Sequence, residues 1–182
     1  VGMEFGLWVE PEMVNPDSEL ARNHPDWILQ ARTTFPPSAR QQQVLNISHP
    51  DAYAYIAERL HALLDEYPQI AYLKWDHNRD LVDAGSGPGG SSRVHEQTLA
   101  IYRLLDELHE AHPGLEIESC ASGGARVDLG ILERTERIWT SDCLDPLERL
   151  DNQRYTGLVV APELMGAHLT TPRVHSTGRT VS

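Results

Sequence analysis

The chain has 182 residues, of which 40% are hydrophobic and 23% charged, enough to bury a core and close to one domain in length. Its formal net charge of -12 excludes a basic surface for nucleic acid or anionic membrane, and leaves neutral partners such as sugars open. Two cysteines, Cys120 and Cys143, imply no disulfide framework, and no apolar run approaches the ~20 residues of a membrane span, so the compartment stays open with the cytoplasm favoured.

In chain order, EFGLWVEP (4–11) reads as a strand that closes on Trp8 and Glu10. Ser18–Gln30 reads as a helix after a candidate cap at Pro16-Asp17, with Trp27 in the core. QQVLNI (42–47) is a second apolar strand run. His49–Glu66 carries Tyr53, Ile56, Ala57, Leu60, Leu63 and Leu64 at helical spacing, a stripe that faces a core. IAYLKW (70–75) is the third strand run and delivers Asp76 at its end. GSGPGG (85–90) follows no clear strand and opens no helix, which makes it a loop rather than a phosphate cradle. Val94–His112 repeats the helical stripe with Leu99, Tyr102, Leu105 and Leu108, and stops at Pro113-Gly114. LEIESC (115–120), RIWTSD (137–142) and LMGAHL (164–169) complete the strand runs, with short helices expected over Val127–Thr135 and Leu147–Tyr155.

This β-α alternation predicts a parallel sheet with helical crossovers. An open doubly wound sheet and a closed barrel both fit it. The polar residues favour the barrel, because nearly every strand ends in them: Trp8 and Glu10, Lys74 and Asp76, Cys120, Ser141 and Asp142. A (β/α)8 barrel collects chemistry from many strand ends, whereas an open sheet gathers it at one switch point. Six strand units fall short of the ~250 residues of a complete TIM barrel. The expectation is therefore an incomplete (β/α)8 barrel holding about strands 3 to 8, with residues 1–182 as a partial catalytic domain and about two βα units outside the chain.

Asp76 and Asp142 are the candidate carboxylates. Asp76 has a plain alternative as a solvated acid paired with Lys74 or Arg79. Lys74 and Asp76 nevertheless share one strand face, where the lysine is expected to keep the carboxylate ionised. Asn78 adds an amide suited to sugar hydroxyls. Asp145-Pro146 explains itself as a helix cap, which leaves Asp142 at its strand end without a structural role. Two carboxylates at the mouths of different strands suit glycoside hydrolysis, with one as nucleophile or base and the other as proton donor. Trp8 and Trp75 are expected to offer apolar faces to a sugar ring. Cys120 lacks a base and orienter, Gly123-Gly124 lets backbone approach a ligand, and no histidine spacing indicates a metal site.

The blocks GLWVEPEMVNPDSELARNHPDW, QQQVLN, YLKWDHNRDL, ESCASGGARVD and IWTSDCLD, in this order, closely resemble the α-galactosidases of glycoside hydrolase family 36. The resemblance implies a catalytic (β/α)8 barrel that needs no cofactor and releases terminal α-linked galactose from raffinose-type oligosaccharides with retention. It puts the nucleophile on Asp76 and the acid/base on Asp142. The family's sugar-binding positions fall on Trp8, Arg40, Lys74, Cys120 and Gly123, while its upstream Trp and Asp-Asp positions lie outside this sequence. Ala39, Asn46, His77 and Cys143-Leu144 depart from the family pattern. A homo-oligomer is expected for the full-length protein. A related galactosyl transferase and an inactive, truncated sugar-binding piece are the competing readings.

Overall fold

The computed structural model describes residues 2–169, 178 and 180. Five parallel strands form the main sheet: β1 (Phe5–Val9), β4 (Ile70–Trp75), β5 (Glu116–Ser119), β6 (Arg137–Trp139) and β7 (Met165–Gly166). They lie in chain order across the sheet, with no reversal. β2 (Met13–Val14) and β3 (Gln43–Val44) form a separate antiparallel pair.

That pair corrects the expectation of six strand units in one parallel sheet. Residues 43–47 of the 42–47 run are buried, as a central strand would be, but its backbone is tied elsewhere. Val44 O accepts from Leu29 N, and Leu45 N and Asn46 N donate to Glu12 O and Trp27 O. Burial under a loop and burial in a sheet leave the same apolar run, so periodicity could not separate them.

The helix expected over 18–30 is also shorter. Ser18 Oγ accepts from Ala21 N at 3.1 Å and caps α1 (Glu19–Asn23). Pro25 then disfavours helix at His24, and the chain continues as a 3-10 turn, Pro25–Trp27, that buries Trp27. α2 (Pro50–Glu66) and α3 (Val94–Ala111) match their expected spans to within a residue. On α3 the buried face runs through Gln97, Ala100, Ile101, Leu104, Leu105 and Leu108, while Leu99 is 51% exposed, so the stripe is rotated from the one expected. α4 (Leu129–Leu132) is one turn, and α5 (Pro146–Thr156) starts on the Asp145 cap, whose carboxylate accepts from Leu147 N at 2.9 Å.

The core lies between α2, α3 and one face of the sheet, where Leu73, Trp75 and Ile117 join Leu60, Leu64, Leu104 and Leu108. Side chains alternate along strands, so the neighbouring positions face the other way. There the register sets Trp8 beside Lys74, Lys74 beside Glu118, and Glu118 beside Arg137. One sheet face is thus greasy and covered by helices, and the other is charged.

Candidate active site

The site is built on the charged face and the loops beyond it. Lys74 Nζ binds Glu118 Oε1 at 2.7 Å and lies 3.6 Å from the centre of the Trp139 ring, a cation–π contact. Trp139 Nε1 in turn donates to Asp142 Oδ1 at 3.0 Å. Lys74 is therefore committed to Glu118, and it is not the group that holds the charge on Asp76.

Asp76 receives its stabilisation from hydrogen bonds. Oδ2 accepts from Trp8 Nε1 at 3.1 Å and from Asn78 Nδ2 at 2.7 Å. Oδ1 accepts from His77 N at 2.9 Å and from Ser122 N at 3.3 Å. Burial pushes the carboxyl up, but the bonds from Trp8, Cys120, Asn78 and Ser122 outweigh it and hold Asp76 below the ordinary carboxylate range. The reverse applies to Cys120. Burial, with Asp76 beside it, raises the thiol to about 12, so it serves as a neutral donor and not as a nucleophile.

Asn78 organises the rim. Its amide also donates to Glu10 Oε1 at 2.6 Å, and its carbonyl accepts from Ser122 Oγ at 3.0 Å and from Arg40. Arg40 sits in a two-residue turn closed by Gln42 N on Ala39 O, with Arg40 at φ 50 and Gln41 at φ 57. Ser122 has φ 51. Non-glycine residues held at positive φ cost roughly 1–3 kcal/mol each and cluster at functional sites. Two of the three carry a donor to the Asp76–Asn78 pair.

The loop after β5 joins the two carboxylates. Ser122 reaches Asp76, and the next residue, Gly123, presses on the backbone that carries Asp142. A Cβ on Gly123 would stand 3.0 Å from Ser141 Cα and 3.2 Å from Asp142 N, and one on Gly124 would stand 2.7 Å from Thr140 O. The close approach expected of these glycines is therefore made to the chain's own β6 terminus. Gly123→Ala should lower stability by about 2 kcal/mol or more, since it combines a clash with a φ of 92. Gly114, at φ 99 with nothing within 4 Å, isolates the backbone cost, and Gly114→Ala should lose about 1 kcal/mol. Urea midpoints of the two variants provide the check; equal losses would mean that the Gly123 contact is not a constraint.

All eight expected site residues lie at or just beyond strand ends or in the loops between them. Trp8, Asn78 and Cys120 touch Asp76 directly, Arg40 acts through Asn78, and Lys74 and Gly123 lie on the Asp142 side. Trp75 does not take part: it is 1% exposed, on the opposite strand face, and gives its indole N–H to Glu12. Glu118, Ser122 and Trp139 were not foreseen, although all three stand beside recognised positions. Among the described residues no group of three His, Cys, Asp or Glu side chains is placed to hold a metal.

The melibiase family model matches residues 1–182, the whole chain. The chain belongs to the melibiase family. It is 51% identical over 179 residues to the α-galactosidase of Escherichia coli, covering 98% of this chain and 25% of that protein. The crystal structure of the GH36 α-galactosidase AgaB from Geobacillus stearothermophilus superposes with a TM-score of 0.92 at 43% identity, over 100% of this chain and 25% of that one. A variant of AgaA from the same organism, solved in complex with raffinose, gives a TM-score of 0.91 at 40% identity, over 100% of this chain and 26% of that one. The chain thus spans about a quarter of the length of these melibiase relatives, and the resemblance drawn from five sequence blocks is borne out at the level of the family.

Proposed function

We propose that the full-length enzyme carrying this chain hydrolyses terminal α-linked galactose from raffinose-type oligosaccharides by a retaining double displacement. The observation that carries the proposal is Asp76, an ionised carboxylate set at a strand end by four hydrogen bonds and joined through one loop to the backbone of Asp142. Asp76 attacks the anomeric carbon while Asp142 gives a proton to the departing oxygen. Asp142, now a base, takes a proton from water, and that water releases galactose from Asp76 with its configuration kept. Trp8, Arg40, Lys74, Asn78, Cys120 and Gly123 are proposed to hold the sugar. The reaction as written needs no cofactor.

The proposed setting is a segment of a (β/α)8 barrel. The unbroken strand order and the charged face opposite the helix-covered one both favour a closed barrel over a doubly wound sheet, in which helices cover both faces. A homo-oligomer of the full-length enzyme belongs to the same proposal, and exposed Leu150, Leu158 and Val159 on and after α5 offer apolar surface for it.

The test is proton NMR of raffinose digests. The proposal expects α-galactose as the first anomer released, with sucrose as co-product. First release of β-galactose would overturn retention, and transfer of galactose mainly to a second sugar would make the protein a transferase.

A further inference from the structure

Glu12 lies in the GLWVEPEMV block, Arg126 in ESCASGGAR and His77 directly after Asp76; the proposed reaction uses none of them. The three meet. Glu12 is 1% exposed, and its Oε1 accepts from Trp75 Nε1 at 2.9 Å and from Arg126 Nη1 at 2.7 Å, while Oε2 lies 3.8 Å from His77 Nε2. Trp75 and His77 are the residues on either side of Asp76. We propose that Glu12 is a positioning residue for the nucleophile: from behind the strand it grips both neighbours of Asp76, with Arg126 as its counter-ion. This rests on Asp76 being the nucleophile.

Alternation along the strand supports the inference. Trp75 packs in the core and His77 turns its Nε2 toward the same Glu12, while Asp76 points to the charged side, so a carboxylate set between the first two can fix the third without bonding to it. Glu12 is itself fixed, because its carbonyl accepts from Leu45 N at 2.9 Å. Burial pushes its carboxyl up, but Arg126, His77 and the Trp75 indole outweigh burial and keep it below the ordinary range, so Glu12 is held as the carboxylate that accepts from Trp75 and Arg126. A buried carboxylate is retained only where it is paired, and every partner here is either a neighbour of Asp76 or Arg126. His77 N is the key link. It donates to Asp76 Oδ1 at 2.9 Å and to Cys120 O at 3.0 Å, so a shift of residue 77 turns the carboxylate.

The experiment compares wild type, Glu12→Gln and Trp75→Phe in the full-length enzyme with an aryl α-galactoside, the active sites being counted by the burst of aryl leaving group. Glu12→Gln should lower kcat per active site about 10- to 100-fold with KM within about twofold, the scale of a misplacement near 1 Å. The acidic limb of the kcat/KM profile should also move to higher pH, because Asp76 loses hydrogen bonds that favour its ionised form. Trp75→Phe, which removes the N–H donor and leaves a smaller aromatic ring in the buried site, should shift the limb in the same direction by less. A purely structural Glu12 would cost active sites and leave the limb in place. An unmoved limb in both variants overturns the proposal even if Glu12→Gln folds poorly, because Trp75→Phe carries the test alone. Wild-type enzyme that forms a galactosyl adduct away from Asp76 overturns the nucleophile assignment itself, which separates the two failures.

Discussion

Asp76→Ala loses turnover of raffinose and of activated aryl α-galactosides alike, by roughly 10^4- to 10^6-fold in kcat. The loss is indifferent to the leaving group because the missing group is the one that must attack the anomeric carbon in either substrate. The substitution also takes the acceptor from four donors, Trp8 Nε1, Asn78 Nδ2, His77 N and Ser122 N. Water can replace it beside Trp8, which is 50% exposed, so the variant should fold with a lowered melting temperature. Steady-state rates on both substrates, with circular dichroism as the folding control, are the measurement. A variant that keeps more than about a hundredth of wild-type activity on the aryl substrate would remove Asp76 from the nucleophile's role.

Asp142→Ala behaves differently on the two substrates. From raffinose the sucrose leaving group departs as a sugar alkoxide, which needs a proton, so hydrolysis of raffinose should fall by about 10^3-fold or more. The aryl oxide of an activated aryl galactoside leaves without protonation, and the first step on that substrate should survive nearly intact. The second step lacks a base for water, so a burst of aryl alcohol is followed by slow turnover. Azide needs no base; added azide should restore turnover by attacking the β-linked galactosyl-Asp76 and give α-galactosyl azide, with net retention. The fold should tolerate this change, because Asp142 is exposed and Trp139 Nε1 is its only side-chain donor among the described contacts. Equal losses on both substrates, with no azide effect, would deny Asp142 the acid/base role.

The family was legible from five blocks whose polar residues interrupt a strand pattern, and seven of the eight proposed site residues lie within those blocks, Arg40 standing just before one. What was illegible depended on pairing between distant segments. Lys74 is two residues from Asp76, so proximity in sequence suggested that it held the charge there. Cross-strand register instead delivers it to Glu118, a pairing that no single strand records. Trp75 reads like Trp8, an aromatic at a strand end, and only strand parity separates the half-exposed ring from the buried one. The 42–47 run has the apolar character of a sheet strand, yet Met13, Ile28 and Glu12 claim its backbone. Ser122 could not be foreseen as a donor, because the positive φ that turns its N–H toward Asp76 is imposed by the loop and is unusual for serine. Of the caps, Asp145 was legible because it acts within two residues of itself, whereas the first helix is capped by Ser18 and not by the Pro16-Asp17 pair expected.

The central claim is that Asp76 is the atom source of a covalent glycosyl-enzyme and Asp142 is not. Mass spectrometry of the full-length Asp142→Ala enzyme, quenched and digested after mixing with an aryl α-galactoside, tests it most directly. The predicted result is one galactosyl mass increment on the peptide containing AYLKWDHNRD, localised to Asp76 by fragmentation and absent from Asp76→Ala under the same conditions. An increment on the peptide containing IWTSDCLD in the wild-type enzyme would contradict the assignment and exchange the roles of the two carboxylates.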